Sequence, residues 1–212
     1  MGIQILLIFL AYLIGSFPSA VFIGKIFYNK DVREYGSGNA GATNTFRVLG
    51  LKAGIPVLFL DIFKGWASVN LMFFIGELNF NLLFPEKFVE MQIAFGIAAV
   101  IGHLFPIYTG FRGGKGIATL LGFLFALNPL AAVLCLFGFL ICLLITKYVS
   151  LSSIVASFIF PLVIYLNNDG ISSTKSLLVF SIFVPILALI THQKNIERLF
   201  RGEENKANFG NK

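Results

Sequence analysis

IATLLGFLFALNPLAAVLCLFGFLICLLIT, Ile117–Thr146, runs without a single charged side chain, and its reading decides the fold. A spanning helix needs about 20 apolar residues, because a helix rises about 1.5 Å per residue across about 30 Å of hydrocarbon. This run is longer than that, and Asn128-Pro129 interrupts it. Proline removes a backbone donor and pushes the preceding residue out of helical geometry. The run is therefore one long kinked helix, or two helices over 117–127 and 130–146 that meet at a turn.

Working outward, further apolar runs cover 3–27, 55–76, 91–109, 154–166 and 177–191. The chain is 57% hydrophobic and 12% charged, against about 45–50% and about 25% in soluble domains. Its mean hydropathy is +0.87, so the solvent it is built for is a bilayer. The N-terminal MGIQILLIFLAYLIGSFPSA lacks the basic start of a signal peptide. It continues apolar to Phe27, and it reads as the first span. Cys135 and Cys142 both lie in the long run near one helix face, where cysteine serves as a small packing residue.

Charge placement chooses between the two readings of 117–146. With two helices there, seven spans result and the N-terminus lies outside. All Lys and Arg except Lys87 and Lys175 then fall inside, while Glu77, Glu86, Glu90 and Asp169 fall in the two outer loops. That is the positive-inside asymmetry. With one helix, Lys147 and the basic C-terminal tail separate onto opposite sides. The expectation is an all-α polytopic integral membrane protein with seven transmembrane helices. Its N-terminus is outside and its C-terminus cytoplasmic, in a single membrane domain over 1–212. The segment 117–127 gives only about 16 Å of helix, so protein must shelter it. The net charge of +6 is then a leaflet signature and not a nucleic-acid footprint.

The inner face collects the polar segments. GSGNAGATNTFR, Gly36–Arg47, begins with G-x-G-x-x-G, but no strand precedes it and no βαβ unit surrounds it. Glycines can free backbone N–H groups for an anion, hydroxyls add donors, and arginine adds a two-pronged charge. In GHLFPIYTGFRGGKGIAT, Gly102–Thr119, Arg112 and Lys115 sit among glycines just before a helix start, a second anion-suited loop. The P-loop pattern is not met there, and His103 reads as structural. In DIFKG, Asp61 and Lys64 stand at i, i+3 within a span and are expected to pair. KYVSLSS, Lys147–Ser153, is a hydroxyl-rich turn. THQKNIERLFRG, Thr191–Gly202, opens an amphipathic tail over 192–212, with Ile196, Leu199 and Phe200 on one face and His192 and Asn195 at i, i+3. Several anion-suited loops at one interface imply a substrate with more than one phosphate-like group. The apolar bundle beneath suits an acyl chain.

Together and in this order, GSGNAGATNTFR, DIFKG, GHLFP with GGKGIAT, YVSLSS and HQKNIERLFRGEE resemble the bacterial acyl-phosphate-dependent glycerol-3-phosphate acyltransferases, the PlsY family. The resemblance runs from about Gly15 to Lys206. It implies acyl transfer from acyl phosphate to the 1-hydroxyl of glycerol 3-phosphate, giving lysophosphatidic acid and phosphate, the first committed step of phospholipid synthesis. It implies seven spans and an active site facing the cytoplasm. Carried over by position, Ser37, Arg47, Lys115, His192 and Asn195 hold glycerol 3-phosphate. Ser37, Lys115, His192 and Asn195 among them are the expected catalytic groups. Gly41, Thr43, Asn44, Gly114 and Ser152 or Ser153 receive the acyl phosphate. Thr191 departs from the family, which more often has Arg there.

An acyl phosphate is already activated, so positioning and charge stabilisation matter more than a strong base. No cofactor, metal site, nucleic acid or obligate protein partner is expected; the partners are the two substrates and membrane lipid. The HxxxxD dyad of other acyltransferases is missing: Tyr108 follows His103 at that spacing, and Glu197 follows His192. Residues i, i+5 on a helix diverge by about 140°. Two rival classes fare worse. An anion transporter would show repeated broken helices with charge at mid-bilayer, and a CDP-alcohol phosphotransferase would need an Asp-rich metal motif. Only Asp31 and Glu34 accompany Asp61 near the inner loops.

Overall fold

The computed structural model describes residues 2–75, 85–167 and 175–207. The expected span end at 76, the outer-loop acids Glu77 and Asp169, and the terminal Lys212 lie outside these residues. All regular structure among the described residues is helical. Four helices are long and apolar enough to cross a bilayer, or six if each of two bent pairs counts as one span, and Ile117–Leu127 is a shorter apolar helix. The chain divides into two compact units, Met1–Leu127 and Asn128–Lys212.

In the first unit, the first apolar run is not one helix. It breaks into α1 (Gly2–Gly15) and α2 (Ser19–Tyr28), bent by 40°, because Pro18 has no N–H to continue the ladder. After α2 come the short α3 (Ala42–Leu49) and the long α4 (Leu51–Asn70). Then α5 (Pro85–Leu104) begins earlier than expected, so Lys87 and Glu90 sit on a helix and not in a loop. Proline is at home in a first helical turn, where its missing N–H costs nothing. The unit closes with α6 (Ile117–Leu127).

Glycines set how closely these helices approach. A Cβ on Gly15 would meet Ala99 O at 2.1 Å, and one on Gly102 would meet Tyr12 O at 2.3 Å. Helices α1 and α5 therefore touch backbone to backbone. Likewise a Cβ on Gly65 would lie 2.0 Å from Thr119 O, and one on Gly122 1.8 Å from Ile62 O, locking α6 onto α4. Phe123 of α6 is fully buried against Gly96 of α5. This is the shelter that so short an apolar helix needs: Thr119, Leu120, Gly122, Phe123 and Leu124 are all buried.

The second unit opens at the break in the long run. Asn128 caps α7 (Pro129–Thr146), its Oδ1 accepting from Ala131 N at 2.9 Å, so 117–146 holds two helices and not one. Lys147 closes α7 with a left-handed φ of 61°. Helix α8 (Val149–Leu166) then starts at once. Past Lys147 and Tyr148, the expected turn KYVSLSS is thus the first turn of a helix. Helix α9 (Lys175–Thr191) follows, and a 64° bend leads into α10 (Gln193–Phe200). Phe160 and Phe180 pack edge to face between α8 and α9, centroids 6.0 Å apart.

Candidate active site

In the first unit, the loop before α3 is organised by one side chain. Asn44 is buried; its Oδ1 accepts from Ser37 N at 2.9 Å, and its Nδ2 donates to Val32 O at 2.8 Å and Tyr35 O at 3.1 Å. Gly36 and Gly38 take φ of 62° and 72°, which only glycine adopts without strain. The loop so formed leaves Ser37, Thr43 and Arg47 exposed. Gly41 begins α3 with no side-chain cap, so the first-turn N–H groups emerge at the helix end. Several amides expected to face an anion are otherwise engaged: Gly38 N donates to Tyr35 O and Ala40 N to Gly113 O.

That last bond, at 3.4 Å, joins the two glycine-rich loops. Arg33 joins them a second time. It grips Asp31 with two nitrogens, at 3.0 and 2.7 Å, and donates to Thr109 O at 2.9 Å. The Arg33 hydrogen bond holds the Asp31 carboxyl far below its ordinary range, with Lys25 assisting, and Asp31 raises Arg33 in turn. Arg112 lines a surface depression with Asp31, Arg33, Glu34 and Thr109. Lys115, half-buried, precedes Gly116, whose φ of 82° turns the chain into α6.

Asp61 and Lys64 pair as expected, at 2.8 Å, both buried. Two partners were not legible. Ser19 donates its hydroxyl to Asp61, and Lys64 donates to Phe17 O at 3.0 Å. Both lie at the break between α1 and α2, far away in sequence.

In the second unit, His192 is 3% exposed. Its Nδ1 lies 2.8 Å from Ala188 O; a carbonyl only accepts, so Nδ1 carries a proton. Asn195 donates to Glu204 Oε1 at 2.7 Å, Ser150 donates to the same oxygen at 2.9 Å, and Arg198 holds Oε2 at 2.7 Å. Burial alone would raise Glu204, but these hydrogen bonds outweigh it and lower it below its ordinary value. Ala207 N donates to Lys147 O at 2.7 Å, and Lys206 lies over the Tyr148 ring. The tail therefore straps back across the start of α8. Ser152 and Ser153 are buried, their hydroxyls donating to Tyr148 O and Val149 O. Each must rotate to offer its proton to a phosphate.

Glu204, Arg33 and Ser19 are the residues that sequence reasoning did not single out. The signal for Glu204 was present in RLFRGEE, an acid just past the glycine that ends a helix. Acids just past a helix end are common, however, and the three partners of Glu204 become visible only when the tail folds back.

Apolar helices long enough to span and polar loops rich in phosphate-suited donors define a multi-pass integral membrane protein. The sequence profile of the glycerol-3-phosphate acyltransferase family matches residues 5–202, and the chain belongs to that family. It is 45% identical over 209 residues to the glycerol-3-phosphate acyltransferase of Staphylococcus carnosus (strain TM300), covering 95% of this chain and 96% of that one. It is also 45% identical over 203 residues to that of Staphylococcus aureus (strain Newman), with the same coverage. Two crystal structures of PlsY (YgiH), an integral membrane glycerol 3-phosphate acyltransferase, match the fold at 34% identity. The glycerol 3-phosphate form has a TM-score of 0.81 and covers 97% of this chain and 96% of its own. For the lysophosphatidic acid form these values are 0.78, 97% and 95%.

Proposed function

We propose that this protein transfers an acyl group from acyl phosphate to the 1-hydroxyl of sn-glycerol 3-phosphate, releasing lysophosphatidic acid and phosphate as the first step of phospholipid synthesis. The observation that carries the reading is the Ala40 N to Gly113 O bond, which binds two loops with phosphate-suited donors into one. The forms in which the PlsY (YgiH) structures were solved support the same substrate and product.

The hydroxyl oxygen of glycerol 3-phosphate attacks the acyl carbon, the carbon–oxygen bond to phosphate breaks, and phosphate leaves with the electron pair. The hydroxyl proton passes to a substrate phosphate or to His192. Ser37, Arg47, Lys115, His192 and Asn195 bind glycerol 3-phosphate. Ser37, Lys115, His192 and Asn195 act on the reacting atoms. Gly41, Thr43, Asn44, Gly114, Ser152 and Ser153 serve the acyl phosphate, Thr43 by its hydroxyl and Asn44 by fixing the loop. Charge-assisted hydrogen bonds to two phosphate groups supply most of the stabilisation, so neither a cofactor nor a protein partner is needed. The chain crosses the bacterial cytoplasmic membrane seven times, α6 among the spans, with its N-terminus outside and these loops at the cytoplasmic surface.

The test supplies purified protein with glycerol 3-phosphate and one donor: acyl phosphate, acyl-CoA or CDP-diacylglycerol. Lysophosphatidate forms from acyl phosphate alone. Arg47→Ala and Lys115→Ala each lower kcat/KM by about 10- to 100-fold, the scale of a lost charged hydrogen bond. Activity only with acyl-CoA, or a wild-type rate in either variant, overturns the reading.

A further inference from the structure

The two glycines before Lys115 are not there for conformational freedom, since neither has a positive φ. They are there because His103 is close. A Cβ on Gly113 would lie 2.0 Å from His103 O, and one on Gly114 would lie 2.1 Å from His103 Nε2. Gly114 N also donates to His103 O at 3.1 Å. The loop therefore rests on both the backbone and the ring of one residue at the end of α5.

The other edge of that ring is fixed as well. His103 is 5% exposed, and its Nδ1 lies 3.5 Å from Asp61 Oδ1, an electrostatic contact just beyond hydrogen-bond length. Asp61, 1% exposed, is held by Ser19 and by Lys64, and Lys64 is anchored on Phe17 O. The imidazole is thus wedged between an immobile carboxylate and the loop. On the far side of Lys115, Gly116 packs on Val100, with room for a Cβ only 3.1 Å away. The backbone on either side of Lys115 is fixed from α5. Apolar side chains of similar volume would fill this space at lower desolvation cost, but they would not hold one ring in one orientation between charge and loop.

We infer that His103, braced by Asp61, Ser19 and Lys64, is a positioning residue that sets where Lys115 presents its ammonium. The inference rests on the reading of Lys115 as a substrate ligand. It makes the charged cluster inside the helices a support of the loop at their ends.

A double-mutant cycle tests it, using His103→Ala, Lys115→Ala and the pair in purified full-length protein. Misplacing a binding group by about 1 Å costs on the order of 100-fold, so His103→Ala is expected to lower kcat/KM for glycerol 3-phosphate by about 10- to 100-fold. In the Lys115→Ala background, the same substitution is expected to cost less than about twofold, because no ammonium is left to misplace. Equal losses in both backgrounds, or no loss in either, overturn the inference. If His103→Ala does not fold, His103→Gln, which keeps a polar side chain of similar reach without the flat ring, enters the same cycle with the same two outcomes. Wild-type activity in Lys115→Ala alone overturns the functional reading too. A large Lys115→Ala loss with additive His103 losses overturns the positioning role only.

Discussion

Asn44 commits its whole amide to the loop that contains it: one acceptor for Ser37 and two donated bonds to Val32 and Tyr35. Removing it strands the buried Val32 carbonyl, at about 1–3 kcal/mol for an unpaired buried group, and frees the part-buried Ser37 N–H and Tyr35 carbonyl. Asn44→Ala is therefore expected to lower thermal stability in detergent measurably and to reduce acyl transfer at least tenfold, whereas the exposed Thr43→Ala leaves the melting temperature unchanged. Equal melting temperatures for Asn44→Ala and wild type would refute this. In sequence, the two residues looked alike, both polar members of one anion-suited loop. Burial separates them, and burial of a loop side chain depends on chain that the motif does not contain. His192 and Asn195 were legible as a pair because i, i+3 spacing is local. Their fixing partners, Ala188 O and Glu204, were not.

At the scale of elements, α6 shows how a helix of 11 residues holds its place among longer ones. Gly65 and Gly122 allow α4 and α6 to meet at backbone distance, with Ile62 O and Thr119 O where side chains would otherwise be. Gly122→Ala puts a methyl 1.8 Å from Ile62 O, so the helices must separate. The expected loss is about 1–3 kcal/mol, read as a lower melting temperature and a smaller folded yield. Gly2→Ala, whose Cβ meets nothing within 4 Å, is the matched control. A Gly122→Ala protein as stable as that control would show that this packing is not what holds α6. The apolar runs were legible, because bilayer solubility imposes length and composition directly. The break at Asn128-Pro129 was legible because it splits a run too long for one span. The break at Pro18 was not, because α1 and α2 together have the length of one ordinary span.

For the whole molecule, the proposed orientation puts Lys175 outside and the C-terminal tail in the cytoplasm. In a cysteine-free background, Lys175→Cys should react with an impermeant maleimide on right-side-out vesicles, and Asn205→Cys only on inverted ones. The reverse pattern would sink both the topology and the cytoplasmic site. The proposal rests on the basic residues, because their distribution among loops follows the side of the membrane. The cluster at Asp61 obeys the opposite rule, and its consequence falls on assembly. At the bend beside Pro18 the Phe17 carbonyl accepts from Ser19 N and from Lys64. Lys64 and Asp61 in turn are poor passengers in lipid without Phe17 and Ser19. The α1–α2 break and α4 thus complete one another's polar bonds, and the two segments are expected to settle in the bilayer together and not one after the other.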